Sequence, residues 1–246
     1  MFLHLDLLAV LLLGVAAGTL GGVIGFGSSI VLMPVLVILF GPREAVPIMA
    51  VAALLANASR ALVWWREVDW RAFAAYSATG VPGAALGAST LLTIPQRWIE
   101  LAMGVFFLTV IPFRRWLARR DVHINLWQLA LAGALVGYIT GIVVSTGPIN
   151  APFFLALGLV KGAYLATEAL GSLAVYASKA IVFRSFGALP METISKGLII
   201  GSSLMIGSYV GKRLVLKLRA EQFSLLIEGL LLVSGLTMLG AAVLAH

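Results

Sequence analysis

The sequence contains no cysteine and few charged residues, and both absences narrow the functions open to it. Without cysteine the chain has no disulfide bonds, no thiolate metal sites and no cysteine nucleophile. Only 11% of the 246 residues are charged and 61% are hydrophobic, whereas a soluble domain is about one-quarter charged and one-half apolar. So little polar surface leaves a water-facing shell uncovered, and the composition excludes a soluble globular enzyme.

The hydrophobic content is enough for about eight membrane-spanning helices. One bilayer crossing takes roughly 20 residues, so eight crossings use about 160, and 61% of 246 residues supplies about 150 apolar ones. We therefore predict an all-α polytopic membrane protein with short loops. The chain has no phosphate-binding loop and no Gly-x-Ser-x-Gly motif, and its three histidines lie at ends or in loops. We predict neither ATP-driven nor enzymatic activity, and no metal or cofactor.

The two halves of the chain repeat one pattern of small and basic residues. Glycines spaced four apart allow helices to approach closely by themselves, but a shared order at a nearly constant offset indicates duplication. We predict a first repeat over residues 1–113, a basic linker over 114–124 and a second repeat over 125–246. The matched positions, at offsets of 119 or 124, are Gly14, Gly18, Gly22, Ser59, Arg60, Gly83 and Gly87 with Gly133, Gly137, Gly141, Ser178, Lys179, Gly207 and Gly211.

Each predicted repeat begins with an apolar segment that ends in a break, followed by a short apolar segment and three longer helices. The thirteen residues 28–40 rise only about 20 Å as a helix, less than the ~30 Å hydrocarbon core. We therefore predict that each broken segment and the short segment behind it form a re-entrant hairpin. The breaks are predicted at 25–29 and 145–150, the short segments end near 40 and 159, and the longer helices lie near 44–64, 72–92, 97–113, 163–183, 192–212 and 222–244.

The distribution of Lys and Arg predicts the orientation in the membrane. If each broken segment and the short segment behind it form a hairpin, or equally two crossings, 12 of the 17 basic residues fall on one side of the membrane and 5 on the other. If each pair makes only one crossing, the split is 10 to 7. Cytoplasmic loops carry the excess, so the hairpin arrangement is favoured. It makes the repeats inverted, with a cytoplasmic linker and both termini in the periplasm. Residues 1–6 contain no Lys or Arg, so we interpret the N-terminus as mature structure and not as a signal peptide.

Two basic side chains, Arg60 and Lys179, are predicted inside the membrane at equivalent positions of the repeats. A charge in the bilayer is costly, so such residues suggest a binding site, although they can also reach the headgroups or form an ion pair. Inverted repeats place equivalent residues around one central site, and both side chains offer donors to an anion. Asn57 and Tyr176, also 119 positions apart, lie one turn earlier on the same helix faces.

Polar residues at the two breaks and one carboxylate complete the candidate site. The backbone N–H groups of a broken helix favour an oxyanion, although hydroxyl groups there also cap helix ends. Glu168, about three turns before Lys179, either carries a proton during transport or neutralises a buried cation. The polar residues at the breaks are Ser28, Ser29, Ser145, Thr146 and Asn150.

Four segments of the chain carry a family resemblance: residues 18–27 followed by Pro34, residues 67–71, residues 80–87, and the second copy over 133–179. Together they resemble the TauE/SafE sulfite exporter family over nearly the whole chain. That family often has three consecutive glycines where this chain has Gly27-Ser28-Ser29 and Thr146-Gly147-Pro148, a departure that bears on the substrate. The resemblance implies a secondary carrier that exports sulfite or a short organosulfonate such as sulfoacetate.

The predicted protein is therefore a multi-pass transporter of a bacterial inner membrane. Its predicted partners are a small anion and the lipid bilayer, and its small-residue helix faces would permit a homodimer. The net charge of +7 lies between apolar segments, so it indicates membrane orientation and not nucleic-acid binding. Two alternatives stay open: a carrier that imports, or that moves another anion such as thiosulfate, sulfate or a carboxylate, and a membrane assembly factor that transports nothing.

Overall fold

The computed structural model describes residues 2–24, 28–118, 122–143 and 146–214, together with 229, 232, 235, 236, 239 and 240. Within these residues the chain is α-helical and has no strand, which confirms the all-α prediction. The nine helices of the described part are α1 Phe2–Ile24, α2 Ser28–Phe40, α3 Pro42–Val63, α4 Trp70–Thr93, α5 Gln96–Ala118, α6 Leu126–Ile142, α7 Gly147–Ala156, α8 Lys161–Ser185 and α9 Met191–Leu214, with a 3-10 turn at Trp65–Glu67.

Five of the six predicted longer helices are present, as α3, α4, α5, α8 and α9, and the sixth falls mostly outside the described residues. The predicted end of α5 at residue 113 is wrong: the helix continues through Pro112 to Ala118, into the segment predicted as a linker. A helix with basic residues at its end can extend beyond the apolar layer, so charge alone does not mark its last turn. The short segment α2 has its predicted bounds, whereas α7 ends three residues before residue 159.

Two of the described helices are long and apolar enough to cross a membrane, namely Glu44–Val63 and Lys161–Ser185. Three shorter apolar stretches lie at Val10–Gly22, Val31–Phe40 and Leu126–Ile142. Helix α9 is also long, with 24 residues, but its sequence includes Glu192, Lys196, Lys212 and Arg213. The helices are thus compatible with a membrane protein, while length and hydropathy alone support fewer crossings than the eight predicted.

Glycines bring two pairs of helices into backbone contact. In the pair α1 and α9, a Cβ on Gly18 would lie 2.2 Å from the Leu204 carbonyl oxygen, and one on Gly22 would lie 2.8 Å from the Ser208 Cα. In the pair α4 and α6, a Cβ on Gly137 would lie 2.3 Å from the Gly80 carbonyl oxygen. The contacts advance in the same direction along both members of each pair, so α1 runs parallel to α9, and α4 runs parallel to α6.

Helices α3 and α8 lie between these pairs and run antiparallel to each other. Arg60, near the end of α3, contacts Glu168, near the start of α8. Glu67, just beyond α3, lies against Gly162 in the first turn of α8. Helix α3 also packs on α9, and α8 packs on α4. This arrangement brings polar residues of the two central helices together inside the protein.

We expect Gly137→Val to destabilise the protein by about 1–3 kcal/mol, because the added side chain meets backbone that has no room to move. Thermal unfolding of the purified protein in detergent measures the effect as a lower melting temperature. Ala134→Val, on an exposed position of the same helix, is the matched control. Equal melting temperatures for the two variants would contradict the α4–α6 contact.

Candidate functional site

A polar cavity lies where α3, α4 and α8 meet the N-terminal ends of α2 and α7. Its free volume is about 30 Å³, room for about two water molecules. Lys179 and Asn150 are absent from its lining, and Ser145 lies outside the described residues. The predicted site residues that line the cavity are Ser28, Ser29, Asn57, Arg60, Thr146, Glu168 and Tyr176.

A buried ion pair between Arg60 of α3 and Glu168 of α8 dominates the electrostatics of the cavity. Arg60 Nη2 lies 3.3 Å from Glu168 Oε2, and the two side chains are 10% and 2% exposed. Arg60 also donates a hydrogen bond to Asn57 Oδ1, one helical turn earlier. A buried pair of opposite charges tolerates the loss of both charges better than the loss of one. The two residues therefore have to be considered as a unit.

The Glu168 carboxylate is fixed by neutral donors as well as by Arg60. Its Oε1 accepts hydrogen bonds from Ser172 Oγ at 2.8 Å and from Asn150 Nδ2 at 3.1 Å. The neighbouring Thr167 accepts a hydrogen bond from the Asp69 backbone N–H at 2.9 Å, which ties the start of α4 to α8. Asn150, predicted as a site residue, thus contacts Glu168 and is absent from the cavity lining. Two roles were considered for Glu168, proton carrier and neutraliser of a buried cation. The contact with Arg60 corresponds to the second.

Arg60 has a terminal nitrogen that takes no part in the contacts with Glu168 and Asn57. Its Nη1 is buried and has no hydrogen-bond partner among the described residues. The same cavity is lined by Ser28 and Ser29 in the first turn of α2, and by Thr146 and Gly147 at the start of α7. A guanidinium N–H, hydroxyl groups and the positive ends of two helix dipoles together form an environment that favours a small oxyanion.

Lys179, the repeat equivalent of Arg60, has different surroundings. Its Nζ donates to the carbonyl oxygens of Thr140 at 2.6 Å and Val143 at 3.3 Å, at the C-terminal end of α6. Lys179 is fully buried, and a cation at that position complements the helix dipole. The position equivalent to Glu168 in the first repeat (168 − 119 = 49) is Met49, so no matching carboxylate exists for Lys179. The equivalence in sequence therefore does not produce equivalent contacts.

We expect Lys179→Met to lower the free energy of unfolding by about 2–3 kcal/mol, since two carbonyl groups lose a charged hydrogen-bond donor. Anion affinity of the folded variant should change far less than in an Arg60 variant, because Lys179 lies outside the cavity lining. Thermal unfolding and anion titration measure the two effects. Lys161→Met removes an exposed lysine from the same helix and is the control. A stable Lys179→Met that has lost anion binding would contradict this assignment.

Four polar residues of the cavity lining were not predicted from the sequence: Tyr76, Thr140, Ser172 and Ser208. Ser172 lies four residues after Glu168 on α8, and this helical spacing would have identified it. Tyr76 comes from α4, where its ring packs against Phe154 with ring centroids 5.1 Å apart. Thr140 and Ser208 contribute from α6 and α9. No local pattern distinguishes Tyr76, Thr140 or Ser208 from other polar residues on apolar helices.

Comparison with known proteins agrees with the sequence motifs. A family model described as "Sulfite exporter TauE/SafE" matches residues 10–238, which is nearly the whole chain. No curated protein and no solved structure matches the chain.

Proposed function

The chain belongs to the sulfite exporter TauE/SafE family of integral membrane proteins, and we propose that it is a secondary transporter that exports a small sulfur-containing oxyanion. Sulfite and short organosulfonates such as sulfoacetate are the proposed substrates, and a bacterial inner membrane is the proposed location. The observation that carries this proposal is Arg60 Nη1, which is buried and has no hydrogen-bond partner among the described residues, in a cavity that the N-terminal ends of α2 and α7 also line. A sulfite or sulfonate group presents several acceptor oxygens to these donors.

Binding in this cavity requires the site to expand. A free volume of about 30 Å³ holds about two waters, whereas a sulfonate group alone has one sulfur and three oxygens. In the proposed transport cycle, this compact cavity is the substrate-free form of the site. In the proposed mechanism, the helices around Arg60 move apart on one side of the membrane at a time, which exposes the anion first to the cytoplasm and then to the periplasm.

The helix directions support an inverted repeat in the proposed architecture. The first helix of each repeat packs parallel to the fourth segment of the other, as α1 with α9 and α6 with α4. The third segments, α3 and α8, run antiparallel at the centre. Exchange of partners between halves, with equivalent helices pointing in opposite directions, is the pattern expected of two inverted copies. We propose eight membrane segments in all, with each hairpin counted as one segment and the last segment near 222–244, mostly outside the described residues.

The positions of tryptophan mark two interface levels in the proposed arrangement. Trp65, Trp70 and Trp127 are exposed at the ends of helices on the face assigned to the cytoplasm, and Trp98 is exposed at the opposite face. Tryptophan is enriched at both membrane interfaces, so these residues mark two levels of the bundle. The excess of basic residues, 12 against 5, assigns the first level to the cytoplasm and both termini to the periplasm.

Counterflow of labelled sulfite and sulfoacetate in proteoliposomes tests the proposed transport directly. Purified protein should also unfold at a higher temperature in the presence of a substrate, since binding at 100 times Kd contributes about 2.7 kcal/mol. Sulfite, thiosulfate, sulfate, taurine and sulfoacetate form the screen, which also tests for a carrier of another anion. Initial rates in each direction distinguish export from import. Absence of both counterflow and thermal stabilisation for all five would favour the non-transporting assembly factor.

A further inference from the structure

Glu168 occupies the position from which it competes with an anion for Arg60. The carboxylate and the guanidinium are 3.3 Å apart and almost wholly buried, and the remaining free volume is too small for a sulfonate beside the intact pair. An anion that binds Arg60 through more than its free Nη1 therefore has to separate the pair. This step leaves the Glu168 carboxylate without its cation, in a region of low dielectric constant.

The charge balance of the buried site changes when the pair separates. The intact pair has a net charge of zero, whereas a bound monovalent anion together with Arg60 and ionised Glu168 has a net charge of −1. An uncompensated buried charge costs several kcal/mol, and uptake of one proton by Glu168 restores neutrality. We propose that the substrate anion displaces Glu168 from Arg60 and that Glu168 takes up one proton from the same solution, so that a proton crosses the membrane with the anion. This inference rests on the proposed transport function.

The hydrogen bonds around Glu168 are suited to both of its protonation states. Ser172 Oγ and Asn150 Nδ2 donate to the ionised form. Asn150 Oδ1 is buried and has no hydrogen-bond partner among the described residues, so it can accept from a protonated carboxyl. Ser172 Oγ can accept in the same way, because a hydroxyl group is both donor and acceptor.

No other acid competes for this role within the described lining of the cavity. The titratable groups that face Glu168 are Arg60 from α3, Tyr76 from α4 and Tyr176 from α8. Lys179 is on the same helix as Glu168, but it is bound to the end of α6. The tyrosines are neutral in their protonated form and contribute no negative charge to displace. Within the described lining, Glu168 is therefore the carboxylate that an incoming anion has to displace from Arg60.

Calorimetric titration of the wild-type protein with methanesulfonate, a short monovalent sulfonate, in buffers of different ionisation enthalpy, counts the protons taken up. About one proton per bound anion is expected, and over the pH range in which that proton is taken up the apparent Kd should rise about tenfold per pH unit. Methanesulfonate is used because it is monovalent and stays ionised over the whole pH range of the titration. Sulfite changes its own protonation near neutral pH, so its titrations are interpreted only as differences between variants.

Glu168→Gln mimics the protonated carboxyl and should bind either anion with no proton uptake from this site, and its affinity for methanesulfonate should be independent of pH. Glu192→Gln, which replaces an exposed carboxylate of the same charge, should behave as wild type. Tight wild-type binding without proton uptake overturns the coupling and leaves the proposed function intact, and this measurement needs no variant. Proton uptake retained in folded Glu168→Gln also overturns it. If neither anion binds, both the transport function and the coupling are wrong.

Discussion

Arg60→Gln is expected to abolish anion transport and to destabilise the protein by about 3–5 kcal/mol. The variant loses the charged donor that lies between the two helix N-termini, and it leaves Glu168 buried with only Ser172 and Asn150 as partners among the described residues. Loss of a charge-assisted contact to the anion lowers affinity by about 2–5 kcal/mol, which is roughly 30-fold to several thousand-fold. Counterflow in proteoliposomes and thermal unfolding measure the two effects.

The double variant Arg60→Gln/Glu168→Gln separates stability from transport. Removing both charges leaves a neutral site, so the melting temperature should recover most of what the single variant loses. Transport should remain absent, because the two introduced amides do not replace the guanidinium donor. Arg66→Gln removes an exposed arginine just beyond the same helix and is the matched control. Wild-type counterflow by Arg60→Gln would show that the anion is held elsewhere.

Repeat equivalence is sufficient to find the centre of the candidate site. Arg60 and Asn57 stand out in the sequence because each has a polar partner 119 positions later, and both line the cavity. The equivalence is insufficient for Lys179, because the contacts of a cation depend on the nearest carboxylate. At this position of the repeat the second copy has a carboxylate, Glu168, whereas the first has buried Met49. Arg60 therefore reaches across to α8, and Lys179 turns to the end of α6.

Local sequence signals also predict helices more accurately than they predict tertiary contacts. The end of α7 is set by Gly158, whose φ of +94° suits glycine and ends helical geometry, yet the apolar sequence continues to residue 159 and predicts a longer segment. Tyr76 and Ser208 reach the cavity because α4 and α9 pack against α8 and α1. That packing is decided by glycine contacts between distant segments. Which residues line the cavity therefore depends on the tertiary packing of the helices.

Single cysteines at two repeat-equivalent positions should be labelled from opposite sides of the membrane. Arg66 and Ser185 are 119 residues apart (185 − 66) and both are exposed at helix ends, and the natural chain has no other cysteine to react. An inverted repeat places equivalent loops on opposite faces. Ser185→Cys should therefore react with a membrane-impermeant maleimide in intact cells. Arg66→Cys should react only after the membrane has been permeabilised. Before that step, its labelling should stay at the background level.

Two further positions make the labelling result independent of any one substitution. Thr93→Cys lies on the face assigned to the periplasm and His123→Cys on the face assigned to the cytoplasm, and both residues are exposed. Labelling of Arg66→Cys and Ser185→Cys from the same side would contradict the inverted repeat. Labelling from opposite sides with the faces exchanged would keep the inversion and reverse the orientation. In that case the excess of 12 basic residues over 5 would lie outside the cytoplasm, against the rule that assigned it.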